Sequence, residues 1–270
     1  MPLLTVQSIS MSYGTRRVLN DVSFRVSKGD RIAFIGDNGA GKSTLFKIIK
    51  GVVAPESGEI IMHGGTIAGY LSQRIEEQDL SSATLKPSNL IDLEAKLSSL
   101  EKDISKLSSD DPDSAELKTM MNDYSNARSA YESFGGYDYE YRLNDALRGL
   151  GLGDMTDGSR TDFSSMSGGE KMRVCLAHLI VDHPDILMLD EPTNHLDMEA
   201  VEWLEGFLSS YGGAVFVITH DRHFIDSVAT KVIELDGGRI TEYRGNYSDY
   251  VIRKEEFMKT QTAVIENLEA

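Results

Sequence analysis

Short apolar runs separated by glycine-rich or polar turns predict β-strands in the first part of the chain. These runs are Leu3 to Ile9, Val22 to Val26, Ile32 to Ile35, Ile60 to Met62 and Ile67 to Leu71. Two later runs, Ile186 to Leu189 and Ala214 to Thr219, are apolar throughout, which is typical of strands buried on both faces of a parallel sheet. Val232 to Leu235 and Arg239 to Tyr243 flank Asp236-Gly237-Gly238 and predict an antiparallel hairpin. We expect an α/β fold whose core sheet is mixed and carries an antiparallel β part.

A helical pattern lies between the two groups of strands. Apolar residues at alternating spacings of three and four predict two helices joined by a polar turn over 108–114, where Pro112 suits the start of the second helix. The first stripe is Leu90, Leu93, Leu97, Leu100, Ile104 and Leu107; the second is Leu117, Met120, Tyr124, Ala127, Tyr131 and Phe134. We expect a helical hairpin inserted over 85–139, although two helices packed separately on the domain would show the same stripes.

A third amphipathic pattern begins after residues 244–250 and continues to the last residue. Its apolar face consists of Tyr250, Val251, Phe257, Met258, Val264, Ile265 and Leu268. Neither a capping residue nor a glycine ends this helix. We therefore expect the chain to be a fragment of a longer protein.

Composition narrows the class of protein. The chain has 270 residues, of which 40% are hydrophobic and 26% charged, as in ordinary globular proteins. Its sequence contains neither an apolar stretch of about 20 residues nor a signal-peptide pattern, so we expect a cytoplasmic protein with no membrane span. A net charge of −16 argues against nonspecific binding of nucleic acid through the overall field. Cys175, the single cysteine, is expected to be a buried structural thiol.

The string Gly36-Asp37-Asn38-Gly39-Ala40-Gly41-Lys42-Ser43 follows a predicted strand and precedes a predicted helix. Its glycines let backbone N–H groups converge on phosphate oxygens, and the helix N-terminus adds positive potential. Lys42 supplies a charge to the phosphates, while Ser43, and more weakly Thr44, offer a hydroxyl to Mg²⁺. The alternative is a glycine-rich turn with a surface lysine.

Asp190 and Glu191 directly follow the buried run Ile186 to Leu189. A parallel sheet delivers such residues to its carboxyl edge, where ligands of open α/β sheets bind. We expect Asp190 to hold Mg²⁺ and Glu191 to act as the general base for an attacking water. Two helix-capping acids would be the alternative.

Ser167-Gly168-Gly169-Glu170 precedes an apolar helical run over 171–181. Two glycines at a helix start expose N–H groups to an anion. Alone, the same string would also fit an ordinary capping box.

Together these three strings resemble the Walker A, signature and Walker B motifs of the ATP-binding cassette (ABC) ATPases, and the resemblance covers nearly the whole chain. It implies that Gln73 lies near Mg²⁺ and the attacking water, and that Tyr13 stacks on adenine. It further implies that Asp197 is the acid of the D-loop and that His220 contacts the γ-phosphate. From the residues alone, His220 fits a capping role equally well, and Tyr13 a place in the core.

Three further strings resemble the ABC-F group of that superfamily: Glu191-Pro192-Thr193-Asn194-His195-Leu196-Asp197, His220-Asp221-Arg222-His223-Phe224-Ile225-Asp226 and Gly245-Asn246-Tyr247-Ser248. The resemblance implies a nucleotide-binding domain over 1–84 and 140–246, with the signature helix subdomain at about 140–182. The segment 85–139 would be the arm-like hairpin, and 247–270 the start of an interdomain linker.

The resemblance implies an ATPase that uses ATP and Mg²⁺, with its signature residues acting on the ATP of a partner cassette. That partner would lie in the same full-length chain or in a second copy of this one. Ribosomes and tRNA are the expected partners of the full-length protein, as a translation factor or a ribosome-protection ATPase. The acidic charge leaves such contacts to the linker, a second cassette or the hairpin. The alternative is the nucleotide-binding subunit of a membrane transporter. A third class, a DNA-repair or chromosome-associated cassette protein, is disfavoured because this sequence has neither the expected zinc-ligand cysteines nor a very long coiled coil.

Overall fold

A computed structural model describes residues 2–73, 88–110, 115–155 and 166–269. The strands are β1 (Pro2–Tyr13), β2 (Arg16–Ser27), β3 (Arg31–Gly36), β4 (Ser57–Met62), β5 (Ala68–Leu71), β6 (Ile186–Asp190), β7 (Ala214–Ile218), β8 (Lys231–Asp236) and β9 (Arg239–Arg244). The helices are α1 (Lys42–Ile49), α2 (Ser88–Asp110), α3 (Ala115–Ser133), α4 (Tyr139–Gly149), α5 (Gly168–Val181), α6 (Met198–Ser210), α7 (Arg222–Val228) and α8 (Tyr247–Glu269). Every apolar run predicted as a strand overlaps one of these strands, which confirms the predicted α/β class.

Two sheets form the scaffold. Three antiparallel strands make the smaller sheet in the order β2-β1-β4, and six make the core sheet in the order β5-β6-β7-β3-β8-β9. The core sheet is parallel except for β9, which pairs antiparallel with β8 through the predicted hairpin. The mixed sheet with an antiparallel part is therefore confirmed.

Strand register aligns three strands at the carboxyl edge of the core sheet. Ile218 of β7 pairs with Phe34 of β3 on one side and with Asp190 of β6 on the other. The residues that follow these strands consequently leave the sheet at the same level.

The two faces of the core sheet are buried differently. On one face, Phe216 packs against Phe46 of α1, with ring centroids 4.8 Å apart, and against Phe34 and Phe24 at 5.4 and 5.6 Å. On the other face, alternate residues of β6 and β7 pack against α5 and α6. Cys175 of α5 is buried there, as expected. Continuous apolar strands are thus explained by cover on both faces.

Helices α2 and α3 pack against each other. The predicted stripe residues are the less exposed ones on both helices, and Tyr124 Oη donates to Glu101 Oε1 across the pair at 2.8 Å. Phe134 departs from the prediction: α3 ends at Ser133, Gly135 turns the chain with φ 66°, and Phe134 is 53% exposed. Residues 111–114 of the predicted turn lie outside the described residues. The assignment of 85–139 as an arm stays a prediction.

Helix α8 has a buried start and an exposed apolar face further along. Tyr250 is buried, whereas Val251, Phe257 and Met258 are exposed. In the part of the chain that the structure describes, no helix combines the length and apolar character needed to cross a membrane.

Candidate nucleotide-binding site

A cavity of about 540 Å³ lies at the carboxyl edge where β3, β6 and β7 end. Its lining residues are Tyr13, Arg16, Val18, Asn38, Gly39, Gly41, Lys42, Ser43, Thr44, Gln73, Asp190, Glu191, Ile218 and His220. Predicted residues from five separate segments are therefore brought together in one place. Gly36, Asp37 and Ala40 belong to the same loop without being among the described residues of this lining.

The loop over residues 36–43, hereafter the phosphate-binding loop, requires glycine at two positions. Gly41 has φ 116°, and a Cβ there would lie 3.0 Å from the Val18 carbonyl oxygen. Gly36 has φ 151°, and a Cβ there would overlap the Leu235 carbonyl. A side chain at either position would be strained or would clash, so the backbone path of this loop depends on glycine.

Lys42 is the first residue of α1 and is only 7% exposed. Its Nζ donates to the carbonyl oxygens of Gly36, at 2.7 Å, and Asp37, at 3.1 Å. Burial lowers the pKa of the Lys42 ammonium, and the nearby Glu191 and Asp190 carboxylates offset part of that effect. The ammonium is held inside the loop that would receive phosphate.

Asp190 ends β6 and is 2% exposed. Burial raises the pKa of its carboxyl group, while a hydrogen bond from the Ser43 hydroxyl and the charge of Lys42 lower it. The Tyr70 hydroxyl lies 3.5 Å from Asp190 Oδ2. The carboxylate and the Ser43 hydroxyl therefore sit side by side at the base of the cavity.

Glu191 adopts a left-handed backbone conformation with φ 55°, which is uncommon for a residue with a side chain. Its N–H donates to the Ile218 carbonyl at 2.7 Å, which holds the strained residue against the end of β7. Burial raises the pKa of the Glu191 carboxyl, and His220 partly opposes this shift. Strain and a shifted pKa in one residue are typical of functional sites.

His220 follows β7 and faces the phosphate-binding loop. Its Nε2 lies 3.1 Å from Asn38 Oδ1 and 3.6 Å from Glu191 Oε1. The ring therefore joins the loop to the carboxylate across the cavity.

The donor set fits a magnesium ion and a polyphosphate. Hydroxyl, carboxylate and amide oxygens from Ser43, Asp190 and Gln73 are the hard ligands that Mg²⁺ prefers. Backbone N–H groups of such a loop and the Lys42 ammonium complement phosphate oxygens.

The signature string and Asp197 lie elsewhere; none of them is among the described residues that line the cavity. Ser167 precedes α5 and caps it in a full capping box: its N–H donates to Glu170 Oε2 at 2.8 Å and its hydroxyl accepts from the Glu170 N–H at 3.3 Å. Asp197 caps α6 by accepting from the Ala200 N–H at 2.9 Å. In this chain both motifs cap helices, which is the alternative that local sequence allowed for the signature string.

Arg16 was not predicted and lines the cavity beside the phosphate-binding loop. A Cβ placed on Gly39 would lie 3.8 Å from Arg16 Nη1. Its guanidinium suits phosphate recognition. The one sequence signal for its role was that Arg16 comes shortly after Tyr13, which was itself predicted to lie at the site.

A parallel sheet, a glycine-dependent phosphate-binding loop and two acids at the strand ends define a P-loop nucleotide-binding domain. A family model described as "ABC transporter" matches residues 19–194, and a second one with the same description matches residues 233–270. The chain belongs to the ABC transporter family of ATPase domains.

Relatives agree with the ABC-F resemblance. The "Putative ATP-binding protein YdiF" of Bacillus subtilis is 39% identical, with 94% of this chain and 39% of that protein covered. The "Tylosin resistance ATP-binding protein TlrC" of Streptomyces fradiae is 36% identical, with coverages of 93% and 45%. The "Energy-dependent translational throttle protein EttA" of Mycobacterium tuberculosis is 33% identical, with coverages of 96% and 45%. The chain spans less than half the length of these relatives.

A solved structure titled "Structure of ATP binding subunit of ABC transporter" has the same fold. Its TM-score is 0.61 at 24% identity, with 90% of each chain covered. At this identity the likeness concerns the fold alone.

Lys42→Ala should weaken binding of Mg-ATP at least 10-fold, because it removes the buried ammonium that the loop holds in place. Isothermal titration with Mg-ATP measures the change. Lys28→Ala, which removes an exposed lysine from the turn before β3, is the charge-matched control and should bind as the wild type does. Equal affinity of wild type and Lys42→Ala for Mg-ATP would show that Lys42 does not contribute to binding.

Glu191→Gln should stabilise the fold above neutral pH by about 0.5–2 kcal/mol. A raised pKa means that the folded protein binds the Glu191 proton more tightly than the unfolded chain. The contribution of Glu191 to wild-type stability therefore falls as pH rises from its unfolded pKa, about 4.3, through its raised folded pKa. The variant lacks this loss, so its advantage should vanish at acid pH.

Thermal melts without nucleotide across that pH range measure the difference between the two proteins. Glu59→Gln, which changes an exposed glutamate of β4, controls for the loss of one negative charge. A stabilisation by Glu191→Gln that is the same at every pH would show that the ionised carboxylate is not its source.

Proposed function

We propose that this chain is one nucleotide-binding cassette of an ABC-F protein that binds ATP with Mg²⁺ and hydrolyses it to ADP and phosphate. The observation that carries the proposal is the convergence of Lys42, Asp190, Glu191 and His220 on one cavity at the carboxyl edge of the core sheet. The family membership supports the same activity.

Binding uses the groups that surround the cavity. The N–H groups of the phosphate-binding loop and Lys42 would hold the β- and γ-phosphates, with Lys42 exchanging its two backbone carbonyls for phosphate oxygens. Tyr13 is 53% exposed at the rim, where its ring is available to stack on adenine. Ser43, Asp190 and Gln73 would hold Mg²⁺, which when bound neutralises phosphate charge.

Hydrolysis needs a base and a group that orients the γ-phosphate. Glu191 would accept a proton from the attacking water. The water oxygen would bond to the γ-phosphorus while the bond between that phosphorus and the ADP oxygen breaks. His220, which lies beside Asn38 and Glu191, would contact the γ-phosphate. Because burial raises the pKa of Glu191, hydrolysis should fall on the acid side at a higher pH than an ordinary glutamate would give.

The signature residues suggest that one cassette is half of a composite site. Ser167 and Gly169 lie outside the cavity that contains Lys42, so they would serve ATP held by another cassette. A Cβ on Gly168 would meet no atom of the described residues within 4 Å, so this side of the helix start is open to another molecule. The partner would be a second cassette in the same full-length protein, or a second copy of this chain.

This chain alone should bind ATP and hydrolyse it slowly, because the signature donors come from a partner. Steady-state hydrolysis by the wild type should show a specific activity that rises with protein concentration. Glu191→Gln should retain ATP and enrich a head-to-tail dimer in sedimentation velocity with Mg-ATP, and should stay monomeric without it.

Glu191→Gln combined with Ser167→Arg is the matched control for the dimer, since the added side chain would block the signature surface. It should bind ATP and remain monomeric. Full activity that is independent of concentration in a monomeric wild type would overturn the composite site.

Ribosome-associated function is the proposed role of the full-length protein, in the cytoplasm. Two relatives are named for a translational throttle and for tylosin resistance. The arm-like hairpin over 85–139 and the linker that begins at 247 would supply the contacts to ribosome or tRNA. The nucleotide-binding subunit of a membrane transporter is the competing role, and the ABC-F strings disfavour it.

The natural protein with Glu191→Gln, and the same change in its second cassette, should remain ATP-bound and cosediment with ribosomes. Hydrolysis would otherwise release it. Sucrose-cushion sedimentation with ATP, compared with the same protein carrying Lys42→Ala, measures this. Cosedimentation with membrane vesicles instead of ribosomes would favour the transporter role.

A further inference from the structure

The first turn of α8 is attached to α7 by a carboxylate. Asp226 of α7 accepts hydrogen bonds from the Ser248 N–H at 2.8 Å and from the Ser248 hydroxyl at 2.7 Å. These two bonds, the one from the Ser248 hydroxyl first, lower the pKa of the Asp226 carboxyl group. One side chain of α7 thus accepts from two donors of Ser248 in α8.

Asp226 contributes to the cap of α8. The first N–H groups of a helix have no partner within it. At the start of α8, the Asn246 N–H donates to Asp249 Oδ2 at 3.3 Å, and the Asp249 N–H donates to Asn246 Oδ1 at 3.1 Å. The Ser248 N–H is the one that Asp226 accepts. An acid at a helix N-terminus also interacts favourably with the helix dipole.

A second contact joins the same two helices. The Arg222 guanidinium of α7 lies over the Tyr247 ring, 5.5 Å from its centroid. Further along α8, the Tyr250 hydroxyl donates to Glu234 Oε1 of β8 at 2.7 Å, and Lys254 also bonds Glu234. The start of α8 is therefore fixed to both α7 and the core sheet.

The other end of α7 leads directly to His220. Asp221 caps α7 by accepting from the N–H groups of His223 and Phe224, at 3.0 and 3.1 Å, and its own N–H donates to Thr219 Oγ1 at 3.1 Å. Phe224 and Ile225 anchor the helix in the core. His220 lies between Thr219 and Asp221, so its position depends on where α7 is held.

We propose that Asp226 and Ser248 are positioning residues for ATP hydrolysis, which by holding α8 on α7 fix His220 opposite Asn38 and Glu191. Displacement of α8 would then change turnover without touching the nucleotide. The inference rests on the proposed function, because it takes His220 to act in hydrolysis. Residues of the two strings 220–226 and 245–248 meet in this contact.

Steady-state hydrolysis over a range of ATP concentrations tests the inference at a fixed, high protein concentration. Asp226→Ala should lower kcat on the order of 10-fold, less than the roughly 100-fold that a 1 Å misplacement can cost. Ser248→Ala should lower it by less, since the Ser248 N–H bond to Asp226 is retained. KM should not change in either variant, because neither residue contacts the phosphate-binding loop.

Two variants separate positioning from general loss of structure. Ser248→Thr keeps the hydroxyl and should restore kcat. Ser227→Ala removes a hydroxyl from the same helix, where it donates to the Phe224 carbonyl at 3.0 Å, and should leave kcat unchanged. The NMR signal of the His220 ring, assigned with His220→Ala, should shift in Ser248→Ala and not in Ser227→Ala.

The outcomes distinguish this inference from the proposed function. If the wild type hydrolyses ATP, His220→Ala does not, and both Ser248→Ala and Asp226→Ala keep the wild-type kcat, the inference is overturned and the proposed function stands. An equal loss in Ser227→Ala would likewise overturn it. A wild type that does not hydrolyse ATP would overturn both. A fully active His220→Ala would overturn the inference and leave the proposed ATP hydrolysis standing.

Discussion

Parallel pairing of β3, β6 and β7 is the constraint on which the site depends. Because Phe34, Ile218 and Asp190 share one level across the sheet, the phosphate-binding loop, the two acids and His220 emerge next to one another. A slip of one residue in any of these strands would also turn its buried side chains to the opposite face. The aromatic packing around Phe216 therefore protects the geometry of the site as well as the stability of the fold.

The same arrangement confines opposite charges in a partly dehydrated space. Burial shifts the pKa values of Lys42, Asp190 and Glu191 so that their neutral forms are favoured. The two carboxylates oppose this shift at Lys42, and Lys42 opposes it at Asp190. At Glu191, His220 opposes the shift, whereas the neighbouring Asp190 charge adds to it. Glu191 adds backbone strain to this cost. The cluster is consistent with a site organised for an additional polyanion and cation, since the charges present are favourable only as a group.

Most of the fold was predictable because each strand is a short apolar run with a turn at its end, and the site motifs have a fixed place relative to those strands. Long-range placement was not predictable. Arg16 reaches the cavity only because the turn between β1 and β2 lies beside Gly39, and Asp226 meets Ser248 only because β8 and β9 return the chain to α7. Local spacing likewise extended the second stripe to Phe134, whereas the positive φ of Gly135 redirects the chain.

The pairing of α2 with α3 has a consequence for how this domain can diversify. Both helices join the body at the same end, where Leu90, Tyr131 and Tyr139 are part of the main core. Adding or removing one heptad on each helix would move the tip by about 10 Å and leave that root unchanged. Reach can thus vary among descendants of such a sequence while the nucleotide chemistry is inherited intact.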